Sequence, residues 1–157
     1  MAHRPLTPAE HTAARAVFGD AIDYARVRIH DRRYIFFQPA KVAMAPNGQI
    51  YFPRACHCPD FSTNVPHLAW LLHELTHVWQ HQQGMWVRLR GTLARGKYGY
   101  GDLGETDRPF TAFNIEQQAA IVGDYVLTTH GYRAQHGRGT RADYEAILPF
   151  LPAPLLA

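Results

Sequence analysis

The chain has 157 residues, with 16 lysines and arginines against 13 aspartates and glutamates, a formal net charge of +3 and 46% hydrophobic residues. This length predicts a single domain over 1–157, with its core at about 7–130 and a C-terminal helix and proline-rich apolar tail at 141–157. No apolar run approaches the roughly 20 residues of a membrane span, the first residues lack the apolar stretch of a signal peptide, and the charge is low and scattered, so we expect neither membrane insertion nor a nucleic-acid partner.

The first third of the chain predicts one helix and a small antiparallel sheet. The predicted elements are a helix at 8–18, a half-exposed strand at 24–30 and two hairpin strands at 41–45 and 49–52. Thr7 and Glu10 have the spacing of a capping box, which marks the start of the helix. The two hairpin strands flank Asn47-Gly48, the dipeptide that favours tight hairpin turns.

The remaining two thirds predict three helices and one long loop. The predicted elements are a helix from Pro66 to Gly84, an irregular loop from Gly91 to Pro109, a helix from Asn114 to about Thr129 and a short helix from Arg141 to Leu148. The apolar tail after Leu148 holds several prolines, so it must pack on the body or on a partner rather than continue the helix. The fold class predicted from these elements is α+β.

The long helix carries the sequence His73-Glu74-Leu75-Thr76-His77, an HExxH motif. Residues four apart lie about 40° apart around a helix axis, so His73 and His77 can reach one metal ion. Glu74 lies beside that face and is predicted to act as a base toward zinc-activated water. The alternative is a chance pairing in a histidine-rich chain, with both rings bonded to the backbone. His81 lies too far along the helix to join the same ion, so we expect it at the surface or beside the site.

A catalytic zinc site uses three protein ligands, so one more must come from elsewhere in the chain. The downstream candidates are Glu105, Glu116, Glu145, Asp102, Asp107, Asp124, Asp143, His130 and His136. Glu116 is preferred because it lies in the first turn of a helix that could pack against the HExxH helix. A carboxylate there also complements the helix dipole, which is the structural alternative. Asp124 could hold a metal ligand in place by hydrogen bonding, but we expect it more at a solvent-exposed position of the helix.

Two further groups have weaker signals. Cys56-His57-Cys58 does not have the usual spacing of a structural zinc site, so free thiols or a redox-sensitive pair near the cleft are favoured. Tyr98 and Tyr100 could stabilise an oxyanion, although packing of the loop explains them as well.

Beyond the HExxH motif, the residues resemble a specific family. HELTHVWQHQ from His73, the preceding Asp60-Phe61-Ser62 and NIEQQA from Asn114 resemble the zinc metallopeptidase domain at the C-terminus of some VgrG spike proteins of type VI secretion systems. The segments 27–30 and 49–52 are also similar to the metallopeptidase-like core domain of extracellular contractile injection systems. The resemblance covers roughly 7–130.

This resemblance implies a minimal zincin-like fold, with a small antiparallel sheet or hairpin packed on the HExxH helix and on a second ligand-bearing helix. It implies a gluzincin-like peptidase with Zn²⁺ on His73, His77 and Glu116, and Glu74 as general base. It further implies an effector made in the bacterial cytoplasm and delivered into another cell, with a peptide or protein substrate and a secretion spike or immunity protein as partners. The alternative hypothesis is a non-catalytic zincin-like adaptor that loads or assembles a spike through the apolar tail.

Overall fold

The computed structural model describes residues 2–87, 90 and 96–151. Within these ranges the protein has four helices and two small sheets, which confirms the predicted α+β class. The helices are α1 (Pro8–Phe18), α2 (Val65–Gln82), α3 (Ile115–Thr129) and α4 (Arg141–Ile147). The strands are β1 (His3–Arg4), β2 (Ile29–His30), β3 (Ile50–Tyr51), β4 (Gly101–Asp102) and β5 (Gly137–Arg138). None of the described helices is long and apolar enough to cross a membrane.

The start of α1 confirms the predicted capping box and extends it. Thr7 accepts a hydrogen bond from the backbone of Glu10, and the Glu10 carboxylate accepts one from the backbone of Thr7. Glu10 is fully buried, and it also binds both terminal guanidinium nitrogens of Arg4 and the backbone N–H of Phe61, each at 2.8 Å. This one carboxylate therefore joins β1, α1 and the turn that precedes α2.

The N-terminal sheet is mixed, not antiparallel as predicted. β1 pairs antiparallel with β2, whereas β2 pairs parallel with β3. The predicted hairpin is reduced to one antiparallel bridge between Met44 and Tyr51. Beside this bridge the buried Gln38 amide nitrogen donates to the carbonyls of Val42 and Tyr51, so a side chain rather than a second strand bonds the carbonyl of Val42.

The strand predicted at 24–30 is also shorter than expected. Tyr24–Arg26 form a 3₁₀ turn, and only Ile29 and His30 pair in the sheet. Asp23 caps the turn by accepting a hydrogen bond from the backbone of Ala25, a local bond that competes with strand formation.

The helices α2 and α3 form the centre of the molecule. Asn64 caps α2 and Asn114 caps α3, where Gln117 completes the predicted capping box. Gly123 lies where α3 meets α2, since a Cβ there would lie 3.4 Å from the carbonyl oxygen of Ala69. The close approach of the two helices places their facing side chains within bonding reach of one another.

The C-terminal part confirms the last helix and corrects the predicted loop. Residues 91–95 lie outside the described residues, but β4 and a 3₁₀ turn over Leu103–Glu105 interrupt the rest of the segment that was predicted to be irregular. β4 pairs parallel with β5. Phe150 packs on the core beside Phe18 and Trp79, which agrees with packing of the tail on the body, while 152–157 lie outside the described residues.

Candidate metal centre

Three predicted ligands lie together where α2 and α3 face each other. The Nε2 atoms of His73 and His77 lie 3.7 and 3.4 Å from Oε2 of Glu116. One ligand atom from each residue lies within 4.8 Å of the other two. Among the described residues this is the only histidine, cysteine and carboxylate cluster with the spacing of a metal site.

The backbone explains this arrangement. His73 and His77 are one turn apart on α2, and their rings are 5.2 Å apart and nearly perpendicular. Glu116 lies in the first turn of α3, immediately after the Asn114 cap, so the capping box fixes the helix end that carries the carboxylate. All three predicted ligands are therefore on helices rather than on loops.

Without a metal ion, His77 and Glu116 form an ion pair. Burial lowers the pKa of His77, but the interaction with the Glu116 carboxylate outweighs this and raises it to about 9. Burial also opposes ionisation of Glu116, yet its interactions with His73 and His77 hold its pKa well below the usual range. The carboxylate is therefore charged at neutral pH, as a metal ligand must be.

Glu74 lies beside this cluster with one carboxylate oxygen unpaired. The residue is buried, and Oε2 has no hydrogen-bond partner among the described residues. Burial raises the pKa of Glu74, while the charges of His73 and His77 act against that shift. An unpaired buried oxygen is costly unless something that the site binds completes its hydrogen bonding.

Gln80 and Gln118 fix the orientation of His77, and the sequence analysis missed both. The Gln80 amide nitrogen donates to the carbonyl of Ile115 and to Oε1 of Gln118, so its own Oε1 accepts from Nδ1 of His77 at 2.8 Å. Gln118 is anchored in turn, because its nitrogen donates to the carbonyls of Phe110 and Phe113. Nδ1 of His77 therefore carries a proton, and Nε2 faces the cluster. The available signal was the position of Gln80, three residues after His77 on the same helix.

Asp124 corrects the expectation of a solvated position. It is 1% exposed and accepts hydrogen bonds from the Tyr100 hydroxyl and from the backbone N–H groups of Gln135 and His136. Tyr100 also bonds to the hydroxyl of Tyr144. Asp124 thus ties the segments around β4 and β5 to α3.

A cleft of about 940 Å³ opens over the cluster. It is lined by segment 34–46, by the facing surfaces of α2 and α3, and by Tyr98, Gln135 and His136. The Tyr98 ring lies 6.1 Å from the ring of His73 and 5.3 Å from that of His136. Of the two tyrosines considered, Tyr98 is thus the one beside the candidate metal site, whereas Tyr100 is buried in the Asp124 network.

The other candidates lie apart from the cluster. His81 is exposed and its ring covers Gly48, as expected for a surface residue. Cys56 and Cys58 are free thiols, they form no metal cluster with His57, and they do not line the described cleft. The remaining alternative third ligands are all outside the cluster: Glu105, Glu145, Asp102, Asp107, Asp143, His130 and His136.

The fold and the site define a small α+β domain with a candidate metal centre between two helices. No protein-family model matches the chain. The chain is similar to the type VI secretion system spike protein VgrG2b of Pseudomonas aeruginosa, with 39% identity over 133 residues. That match covers 80% of this chain and 13% of the spike protein, so the chain spans about one eighth of that relative.

The chain is also similar to the solved structure of the effector domain of Pseudomonas aeruginosa VgrG2b. The TM-score is 0.76 at 34% identity, covering 96% of this chain and 84% of that domain. The chain therefore belongs to the family of the VgrG2b effector domain.

Proposed function

We propose that this chain is a zinc-dependent peptidase that acts as a type VI secretion effector. The observation that carries the proposal is the convergence of His73, His77 and Glu116 within 4.8 Å, next to the buried carboxylate of Glu74. The membership of the VgrG2b effector-domain family supports the delivery part of the proposal.

The donor set fits a catalytic zinc ion. Two imidazole nitrogens and one carboxylate are ligands that zinc takes in sites which keep a position open for water. The Gln80–Gln118 pair supports the fit, because it leaves Nε2 of His77 as the nitrogen that faces the cluster. The unpaired Oε2 of Glu74 supports it as well, since a buried acceptor without a partner can bond to a water molecule held in the site.

Zinc, when bound, supplies a Lewis acid that polarises the substrate carbonyl and makes water acidic near pH 7. Glu74 takes a proton from the attacking water and later gives it to the leaving amine. Burial raises the pKa of Glu74, which brings it closer to the range in which one group both accepts and donates a proton. The cleft, lined in part by segment 34–46, is the proposed binding place for a polypeptide substrate.

As an effector, the chain is proposed to associate with a secretion spike, because the relatives of this family include a spike protein and its effector domain. An immunity protein that covers the cleft is the corresponding proposed partner in the producing cell.

The first experiment measures bound zinc by mass spectrometry in the untagged protein, in Glu116→Ala and in Glu105→Ala. Glu105 is an exposed glutamate outside the cluster and serves as the matched control. We expect one equivalent of zinc in the wild type and in the control, and a clear loss in Glu116→Ala. No zinc in the wild type, even after zinc is offered, contradicts the peptidase and favours the adaptor.

The second experiment uses Glu74→Gln, which keeps the size of the side chain and removes its basicity. We expect this variant to keep zinc and to lose cleavage of an unfolded protein substrate by about a hundredfold or more. Cleavage at the wild-type rate by the zinc-loaded variant would show that Glu74 is not the base.

A further inference from the structure

Two phenylalanines project from the rim of the cleft. Phe36 is 88% exposed and Phe37 is 68% exposed. The backbone N–H of Gln38 bonds to the carbonyl of Ile35 at 3.0 Å, so the two rings occupy the central positions of a β-turn. Those positions usually hold glycine, proline or short polar residues, and large apolar residues there lose little water on folding. We call Phe36 and Phe37 the aromatic tip.

The aromatic tip rests on a hydrogen-bonded frame. Gln38 is 1% exposed, and its amide accepts from the backbone of Tyr34 and donates to the carbonyl of Val42. Arg33 donates to the carbonyl of Phe36 at 3.1 Å. The buried glutamine thus fixes the base of the turn, and the exposure of the two rings follows from a braced backbone.

The charges around the aromatic tip are mostly positive. The segment 31–42 contains Arg32, Arg33 and Lys41, all exposed, against the single acid Asp31. A pair of exposed aromatic rings with flanking cations matches the interface of an anionic bilayer, where aromatic rings lie at headgroup depth and cations approach phosphates.

The exposed apolar area distinguishes a bilayer from a protein partner. Two nearly exposed phenylalanine rings present on the order of 300 Å². A stable protein interface needs about 800 Å² from each partner. The aromatic tip is an exposed turn flanked by cations, and a protein partner would need more complementary surface than this turn presents. A bilayer accepts the two rings without a matching pocket.

We propose that the aromatic tip binds the surface of anionic lipid membranes, with Phe36 and Phe37 at headgroup depth and Arg32, Arg33 and Lys41 against the phosphates. Phe37 also lines the cleft, so this contact would hold the cleft mouth close to the bilayer. The proposal goes beyond peptide hydrolysis and does not depend on it. It describes a peripheral contact, not a spanning segment.

The test is co-sedimentation of the full chain with vesicles of phosphatidylcholine alone and of phosphatidylcholine with about 30% phosphatidylglycerol. We expect binding to the anionic vesicles that weakens as salt is added. Phe36→Ser with Phe37→Ser should lower the partition coefficient by about tenfold for each ring. Lys41→Gln should lower it by about fivefold on anionic vesicles and leave the value on neutral vesicles unchanged.

Matched controls are Tyr132→Ser, which removes a half-exposed aromatic ring elsewhere, and Arg26→Gln, which removes an exposed cation elsewhere. Both should bind like the wild type. Phe36→Trp, made together with Trp86→Phe to remove an exposed indole, reports insertion, because brominated lipids should quench it more than Trp86→Phe alone, in which only Trp70 and Trp79 emit. Thermal melting checks that each variant is folded.

Three results overturn the proposal. They are an absence of binding to anionic vesicles, equal binding by the wild type and the double serine variant, and a tryptophan at position 36 that brominated lipids do not quench. If the chain does not bind vesicles but captures a protein through the aromatic tip, the tip is a protein-docking element instead.

Discussion

His77 donates its Nδ1–H to Oε1 of Gln80 at 2.8 Å, and the same amide group donates to the backbone of Ile115 on the other side of the site. The orientation of a proposed metal ligand on α2 is therefore set by the first residue of α3. A backbone carbonyl can only accept a hydrogen bond. If the Gln80 amide exchanged the positions of its nitrogen and oxygen, it would therefore lose the bond to Ile115.

The first prediction concerns this glutamine. Gln80→Leu should weaken zinc binding by about 10- to 100-fold, since the partner of Nδ1 is lost and the imidazole ring is no longer held in place. Competition with a fluorescent chelator gives the affinity, and ¹⁵N NMR of the histidine rings gives the tautomer. Gln83→Leu, on the exposed residue that follows α2, is the control and should bind zinc normally. Equal affinity in the two variants would show that Gln80 does not position His77.

The second prediction is that zinc binding releases a proton. Interaction with Glu116 overcomes the effect of burial and raises the pKa of His77 to about 9, so the metal-free site holds a proton at pH 7 that zinc must displace. The apparent zinc affinity should rise by about tenfold per pH unit from neutral pH and level off above pH 9. Calorimetry in buffers of different ionisation enthalpy measures the number of protons released when zinc binds. If the wild type releases no proton when zinc binds, the raised pKa of His77 is contradicted.

The third prediction is the pH dependence of stability of the metal-free protein. The raised pKa of His77 stabilises the fold below its unfolded value of 6.5, and this contribution is lost as pH rises through about 9. The lowered pKa of Glu116 stabilises the fold above its usual value of 4.5, and this contribution is lost as pH falls. Melting in the presence of a chelator should show a stability loss from pH 6.5 to 9 that is smaller in His77→Asn. An identical loss in the variant would assign it to other groups.

The fourth prediction concerns Glu10, which is buried and binds Arg4, Thr7 and Phe61. Glu10→Gln leaves an amide nitrogen facing donors and the Arg4 charge without its partner, so we expect a loss of about 3–5 kcal/mol in the free energy of unfolding. Asp20→Asn is the control, because the Arg15–Asp20 pair is exposed and should contribute less than about 1 kcal/mol. Urea denaturation compares the two. If both variants lose little free energy of unfolding, the buried Arg4–Glu10 pair contributes little to stability.

The fifth prediction tests the close contact between β4 and β5. A Cβ at Gly137 would lie 2.2 Å from the Tyr100 ring and 2.6 Å from the carbonyl oxygen of Gly101. Gly137→Ala should therefore destabilise the fold by about 1–3 kcal/mol and displace Tyr100 from Asp124. Gly99→Ala, whose Cβ would meet its first neighbour at 3.7 Å, should be nearly neutral. Equal melting temperatures would show that the strands adjust without cost.

The helices and the clustering of His73, His77 and Glu116 could be predicted because most of their signals are local. Thr7 with Glu10 and Asn114 with Gln117 define helix starts within four residues, and the HExxH spacing fixes the phase of His73 and His77. Glu116 was preferred for its place in a first turn, and the structure brings it to both histidines. Its role as a zinc ligand stays a prediction.

The sheet, Asp124 and Gln80 could not be derived because their partners are distant in sequence. The Gln38 side chain donates to the carbonyls of Val42 and Tyr51, which no alternation of apolar residues reveals. Asp124 is buried by backbone donors at 135 and 136, in a segment that carries no periodic pattern. Gln80 looks like an ordinary helix residue until Ile115 and Gln118 are placed beside it.

The chemistry of the site and the shape of the cleft are carried by different parts of the chain. His73, Glu74, His77 and Glu116 are held by two packed helices, whereas the rim consists of connecting segments such as 34–46. Substitutions in the rim can therefore change which molecules enter without moving the reactive groups. The same pair of helices can therefore be combined with different rims, each admitting a different set of molecules.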